Sequence, residues 1–130
     1  MISIDTNILV RLITRDDENQ AQRAAKLFEH NQIFLCKTVL LETEWVLRFC
    51  YELSRSAILN ALKNTVGLSQ LTVEDSPAVA KALTLFENGM DFADALHLAS
   101  GQNAPQFATF DERLKKRVHG IADKHRIFLV

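Results

Sequence analysis

Apolar residues fall into two patterns along this chain: short continuous blocks and longer stretches that repeat every three or four positions. Ile33-Phe34-Leu35-Cys36 has the length and character of a strand covered on both faces, and Leu71-Thr72-Val73, Phe107-Ala108-Thr109-Phe110 and Ile127-Phe128-Leu129-Val130 give further strands. Ile2-Ser3-Ile4 is a fifth strand, leading into Asp5-Thr6-Asn7, whose polar side chains suit a turn and helix N-cap. The periodic stretches predict helices. The first runs through Ile8, Leu9, Leu12 and Ile13. The second is capped by Asp16 or Asp17, has Ala21, Ala24, Ala25 and Phe28 on one face, and ends near His30-Asn31. Thr38 is placed to cap the third, whose apolar stripe is Leu41, Trp45, Val46 and Phe49. Ser54 caps a fourth, carrying Ile58, Leu59, Leu62 and Val66 and stopped by Gly67; Ser76-Pro77 opens a fifth that closes at Gly89. Asp91 starts a helix through Ala95, Leu98 and Ala99, and Asp111 caps a short one after the fourth strand.

Strands alternating with helices, the strands apolar throughout, predict a parallel sheet between helical layers. In such folds ligands collect beyond the carboxyl ends of the strands. Asp5 and Asp111 each follow a strand directly and so project over that edge. Glu42 and Asp94 lie in the first turns of their helices, within Val39-Leu40-Leu41 and Trp45-Val46-Leu47 for the one and beside Ala93 and Ala95 for the other. Taken singly, each acid has an ordinary explanation: Asp5 and Asp111 as caps, Glu42 and Asp94 as solvated groups favoured by the helix dipole. Taken together, four carboxylates at corresponding ends of βα units would repel one another unless a cation neutralised them. Oxygen donors of this kind suit Mg²⁺ or Mn²⁺.

Composition narrows the picture without adding to the site. At 130 residues and 48% hydrophobic content, with 4 Gly, 2 Pro and no linker-like or repeated segment, the expectation is a single domain over residues 1–130. The net charge of -1 does not announce a nucleic-acid binder, so any basic surface must be local: Arg11, Arg15, Arg48 or the run Lys115-Lys116-Arg117. Cys36 and Cys50 lack metal or redox spacing and are expected as buried free thiols. No apolar run approaches the roughly 20 residues of a membrane span, and no signal-peptide pattern follows Met1. A cytoplasmic protein without a membrane partner is expected.

Four blocks together resemble a known family. Asp5-Thr6-Asn7, Leu41-Glu42 in a helix ending Trp45-Val46-Leu47-Arg48, Asp91-Phe92-Ala93-Asp94-Ala95-Leu96, and Thr109-Phe110-Asp111 resemble the PIN domain, most of all the VapC-type toxins of toxin–antitoxin pairs. The likeness covers essentially the whole chain, with the blocks in the family's order and spacing. It implies that Asp5, Glu42, Asp94 and Asp111 form the metal and catalytic site. It also implies a three-layer α/β/α sandwich around a mainly parallel sheet of about five strands, a homodimer, an RNA substrate and a small antitoxin protein that blocks the site. His97-Leu98 departs from the family's frequent Ile-Ala. One turn beyond Asp94, His97 stands either against the site or as a packed or capping side chain.

The chemistry expected of such a site is phosphodiester hydrolysis, with the cation activating water and stabilising the departing oxygen. The substrate 2′-hydroxyl has no part in this, so the products should carry a 5′-phosphate and a 3′-hydroxyl. Thr6, Asn7, Asp91 and Thr109 are the candidates for outer positions, by hydrogen bonds to the carboxylates or through water. Phosphatases with an aspartate nucleophile would want a second Asp where Asn7 stands, and a receiver domain would want clustered acids after the first strand. A PIN-like module that binds RNA or protein without turnover is the non-enzymatic alternative, against which the four retained acids argue.

Overall fold

A computed structural model of the chain describes residues 1–118 and 126–130. The described residues form five strands and seven helices: β1 (Ile2–Ser3), α1 (Thr6–Thr14), α2 (Glu18–His30), β2 (Ile33–Leu35), α3 (Lys37–Phe49), α4 (Arg55–Val66), β3 (Leu71–Val73), α5 (Ser76–Glu87), α6 (Phe92–Ser100), β4 (Phe107–Thr109), α7 (Glu112–Arg117) and β5 (Ile127–Leu129). They belong to two compact units, Met1–Ser76 and Pro77–Val130. Among the described residues no helix is long and apolar enough to cross a membrane.

In the first unit β1, β2 and β3 pair in that order, all parallel, with Ile33 opposite both Ile2 and Leu71. Helix α1 packs on α2 and α3. Leu9, Ile33, Leu35, Leu40, Leu47 and Leu62 are shielded from solvent altogether. Local chemistry sets the helix starts: Asp17 accepts from Gln20 N, and Ser54 from Ala57 N. Asp16, the other candidate for the second cap, is instead held by Arg11, Tyr51 and Thr14.

Helix α3 departs from expectation in two ways. It starts at Lys37 rather than after Thr38, because the Glu74 carboxylate accepts the Lys37 N–H at 2.9 Å and does the work of a cap from across the unit. Its buried face is Leu40, Thr43, Glu44 and Leu47, while Trp45 and Phe49 of the anticipated stripe are 52% and 56% exposed. Those two rings lie 5.1 Å apart, and the Arg48 guanidinium sits 4.6 Å from the centre of Phe49. The pair thus shelters part of its own apolar surface. Both cysteines are free, as expected, but neither is buried: Cys36 is half-buried and Cys50 is exposed. Cys50 sits at the C-cap of α3, next to exposed Phe49, which accounts for its access to solvent.

In the second unit β4 and β5 form a parallel pair, with Phe107 opposite Ile127. The five strands and parallel pairing agree with the expectation. A single sheet of about five strands does not, since the described hydrogen bonding gives one three-stranded and one two-stranded sheet. Helix α5 ends at Glu87, and Gly89 just beyond it has a φ of 107° that favours a residue without a Cβ. Phe86 and Phe92 then pack edge to face, 5.4 Å between centroids. At the other end of α6, Arg126 donates to the carbonyls of Gly101, Ala104 and Leu98 at 2.7, 3.3 and 3.4 Å. The Leu98 carbonyl lies in the last turn of α6, where intrahelical donors run out, and the guanidinium ties it to the turn that follows the helix.

Candidate carboxylate site

In the first unit Asp5 follows β1 with extended backbone and caps α1, its Oδ1 accepting from Thr6 N at 2.8 Å. The Thr6 side chain is buried and its hydroxyl donates to Glu42 Oε1 on α3. Thr6 therefore sits between two of the expected site acids, meeting Asp5 through its backbone and Glu42 through its side chain. The carboxylates of Asp5 and Glu42 themselves belong to exposed residues. Asn7, expected as an outer contact of the carboxylates, lines a depression of about 370 Å³ with Ile8, Arg11, Gln20, Arg23, Ala24 and Leu27.

Glu44, two residues from Glu42, is 1% exposed and pairs with Arg48, Glu44 Oε2 to Arg48 Nε being 3.0 Å. The helix thus turns one glutamate outward and the other inward, as a 100° step per residue requires.

In the second unit Asp91, Asp94 and Asp111 line one pocket of about 170 Å³ together with Arg113, Leu114 and Arg117. Asp91 caps α6, accepting from Asp94 N at 3.2 Å. Asp111 caps α7, accepting from Arg113 N at 2.8 Å. Thr109 touches Asp111 through the Asp111 N–H, which donates to the threonine Oγ1 at 3.0 Å. His97 is exposed rather than packed, one turn beyond Asp94.

The two expected ligands of this unit are driven apart in acidity. Burial, then the negative charges of Asp91 and Asp111, raise the Asp94 pKa above the ordinary aspartate value; His97 and Arg117 act against them. Asp111 is lowered, chiefly by the Arg113 N–H bond and further by the charge of Arg113. Burial is the larger cause, but the part of the shift due to Asp91 and Asp111 is one that a bound cation would relieve. All the acidic donors are carboxylate oxygens, which fits a hard divalent ion such as Mg²⁺ or Mn²⁺. Among the described residues, however, no three His, Cys, Asp or Glu side chains form a ready-made ligand cluster. Asp91 and Asp111 each turn an oxygen toward their own helix N–H groups, which holds them in capping positions.

Arg113 received no role from the sequence, although it stands two residues after Asp111 and one helical turn before Arg117. The change from acidic Asp111-Glu112 to basic Arg113 was the only signal, and mixed charge of this kind is common on solvated helices.

No curated protein is significantly similar to the chain. The family model of the PIN domain matches residues 2–119, covering the blocks that contain Asp5, Glu42, Asp94 and Asp111. With its parallel strands, its seven described helices and a family match over most of its length, this chain belongs to the PIN domain family.

Proposed function

We propose that this chain is a cytoplasmic, divalent-metal-dependent ribonuclease, folded as one PIN domain, and the toxin of a toxin–antitoxin pair. PIN domains are generally nucleases, and the observation that carries the reading here is the pocket lined by Asp91, Asp94 and Asp111, in which burial and then neighbouring negative charge oppose Asp94 ionisation. Asp5, Glu42, Asp94 and Asp111 are the residues that would hold the ion, with Asp91 as an outer contact through water. The grouping of all four around one ion rests on the order and spacing of the motifs. When bound, a Mg²⁺ or Mn²⁺ ion supplies acidity to an attacking water and countercharge to the departing oxygen. Thr6 restrains Glu42 by its hydroxyl, and Thr109 restrains the backbone from which Asp111 projects.

The toxin assignment adds an inhibitor, an antitoxin segment offering an arginine to the carboxylates. The homodimer of the family is also part of the proposal, and the exposed Trp45–Phe49 pair is an apolar surface such a dimer would cover.

One set of assays tests the reading. RNA should be cleaved with Mn²⁺ or Mg²⁺ and left intact with EDTA, and the products should carry 5′-phosphate and 3′-hydroxyl ends. A 2′,3′-cyclic phosphate, or cleavage undiminished by EDTA, rejects the mechanism. Co-expression with the adjacent small reading frame should give a complex and suppress cleavage; failure of both removes the toxin assignment and leaves the nuclease. Light scattering that returns a monomer mass removes the dimer.

A further inference from the structure

We propose that Arg113 and Arg117 bind the phosphate backbone of the RNA at the acidic pocket, as the substrate-positioning pair of the site. The inference rests on the ribonuclease reading and deepens it. Helix α7 is anchored by Leu114, 4% exposed, and followed by fully buried Val118, so the face it presents is set by packing. Arg113 and Arg117 are four residues apart, one turn along that face, and both line the pocket with Asp91, Asp94 and Asp111. Lys115 and Lys116, between them in sequence, do not.

Charge explains why guanidiniums belong there. Three carboxylates exceed the charge of one divalent ion, so the acids and ion alone would still repel a phosphodiester. Two guanidiniums offset two of those negative charges and set positive partners for a phosphate beside the ion. The simpler role, neutralising the acids, predicts forked, two-bond guanidinium–carboxylate contacts. The structure shows something looser. The Arg113 guanidinium makes a single contact to Asp111, from Nε at 3.5 Å, with its side chain 82% exposed. Arg117 donates from Nη1 to the Gly89 carbonyl at 3.3 Å, a bond that orients it while using one of its five N–H donors. Exposed pairs of the Arg113 kind contribute little to stability and are easily exchanged for a phosphate.

The test measures binding apart from cleavage. Asp5→Asn silences the nuclease from the other unit and keeps a residue that caps α1 well. In that background, the affinity for a fluorescein-labelled single-stranded RNA of mixed sequence is measured in Mn²⁺ over a range of NaCl concentrations. Arg113→Gln and Arg117→Gln should each weaken binding about 5- to 10-fold and lower the salt slope by about 0.7. Lys116→Gln, with the same charge change on the same helix, should weaken it less than about 2-fold. Arg117→Lys should recover part of the loss, and the high exposure of Arg113 makes its variant safe for folding. Unchanged affinity in both arginine variants, with or without tighter Mn²⁺ binding, overturns the proposal. So does an equal loss in Lys116→Gln, which would mean a diffuse basic helix. A parent that binds no RNA overturns it as well. Wild-type protein that binds RNA through these arginines but does not cleave it rejects the nuclease reading and leaves this inference standing.

Discussion

Asp94→Asn should abolish RNA cleavage while leaving the protein as stable as wild type or more so. The activity loss follows from removing a negative oxygen donor from the pocket shared with Asp91 and Asp111, and should be about 10²-fold or more. The stability result follows from the direction of the Asp94 shift. Burial and the two neighbouring carboxylates raise its folded pKa above 3.8, so the ionised form opposes folding. That opposition is full above the raised folded value. It fades as pH falls through that value and is gone below the unfolded one. Asn carries no charge to lose, so its advantage in melting temperature should be present at neutral pH and disappear in acid. The contrasting variant is Asp91→Ala, which removes the cap bond to Asp94 N and should cost about 0.5–2 kcal/mol of stability. Mn²⁺ titration calorimetry with thermal melts separates the two. Normal Mn²⁺ binding in Asp94→Asn with lost binding in Asp91→Ala would reverse their roles.

The glutamates of α3 should divide function and stability between them. Glu42 is exposed and accepts the Thr6 hydroxyl; Gln at this position can still accept that bond but offers no charge to a cation. Glu42→Gln should therefore lower cleavage about 10- to 100-fold and leave the urea midpoint close to wild type. Glu44 is buried, with its charge directed to Arg48. Glu44→Gln replaces a charged contact in the interior by a neutral one, and should cost about 1–3 kcal/mol with activity largely retained at temperatures where the protein is folded. Urea denaturation and initial cleavage rates on both variants check this. An inactive but fully stable Glu44→Gln would place the functional carboxylate on the wrong glutamate.

Much of this protein was legible in its sequence wherever the determining physics is local. Asp5, Ser54, Asp91 and Asp111 cap helices as expected because an N-cap bond links a side chain to N–H groups within three residues. The apolar blocks became parallel strands, but only β2 is covered along its length, while β1 is exposed and β5 leaves Phe128 and Leu129 open to solvent, which local pattern could not decide. The order of the acidic blocks identified the family. What local rules did not decide was anything set by a distant neighbour. On α3 two stripes satisfied helical spacing, Leu40 with Leu47 and Leu41 with Trp45 and Phe49, and packing against the rest of its unit buried the first. The start of that helix was set by Glu74, 37 residues away, and the Glu42 contact by Thr6, 36 residues away. Arg113 had no role in the sequence and Arg117 only a place in the basic run Lys115-Lys116-Arg117, until the packing of α7 set both beside the carboxylates of the pocket. Capping energies act over one turn of chain, whereas burial and charge act through space, so sequence alone named the acids and tertiary structure alone showed what surrounds them.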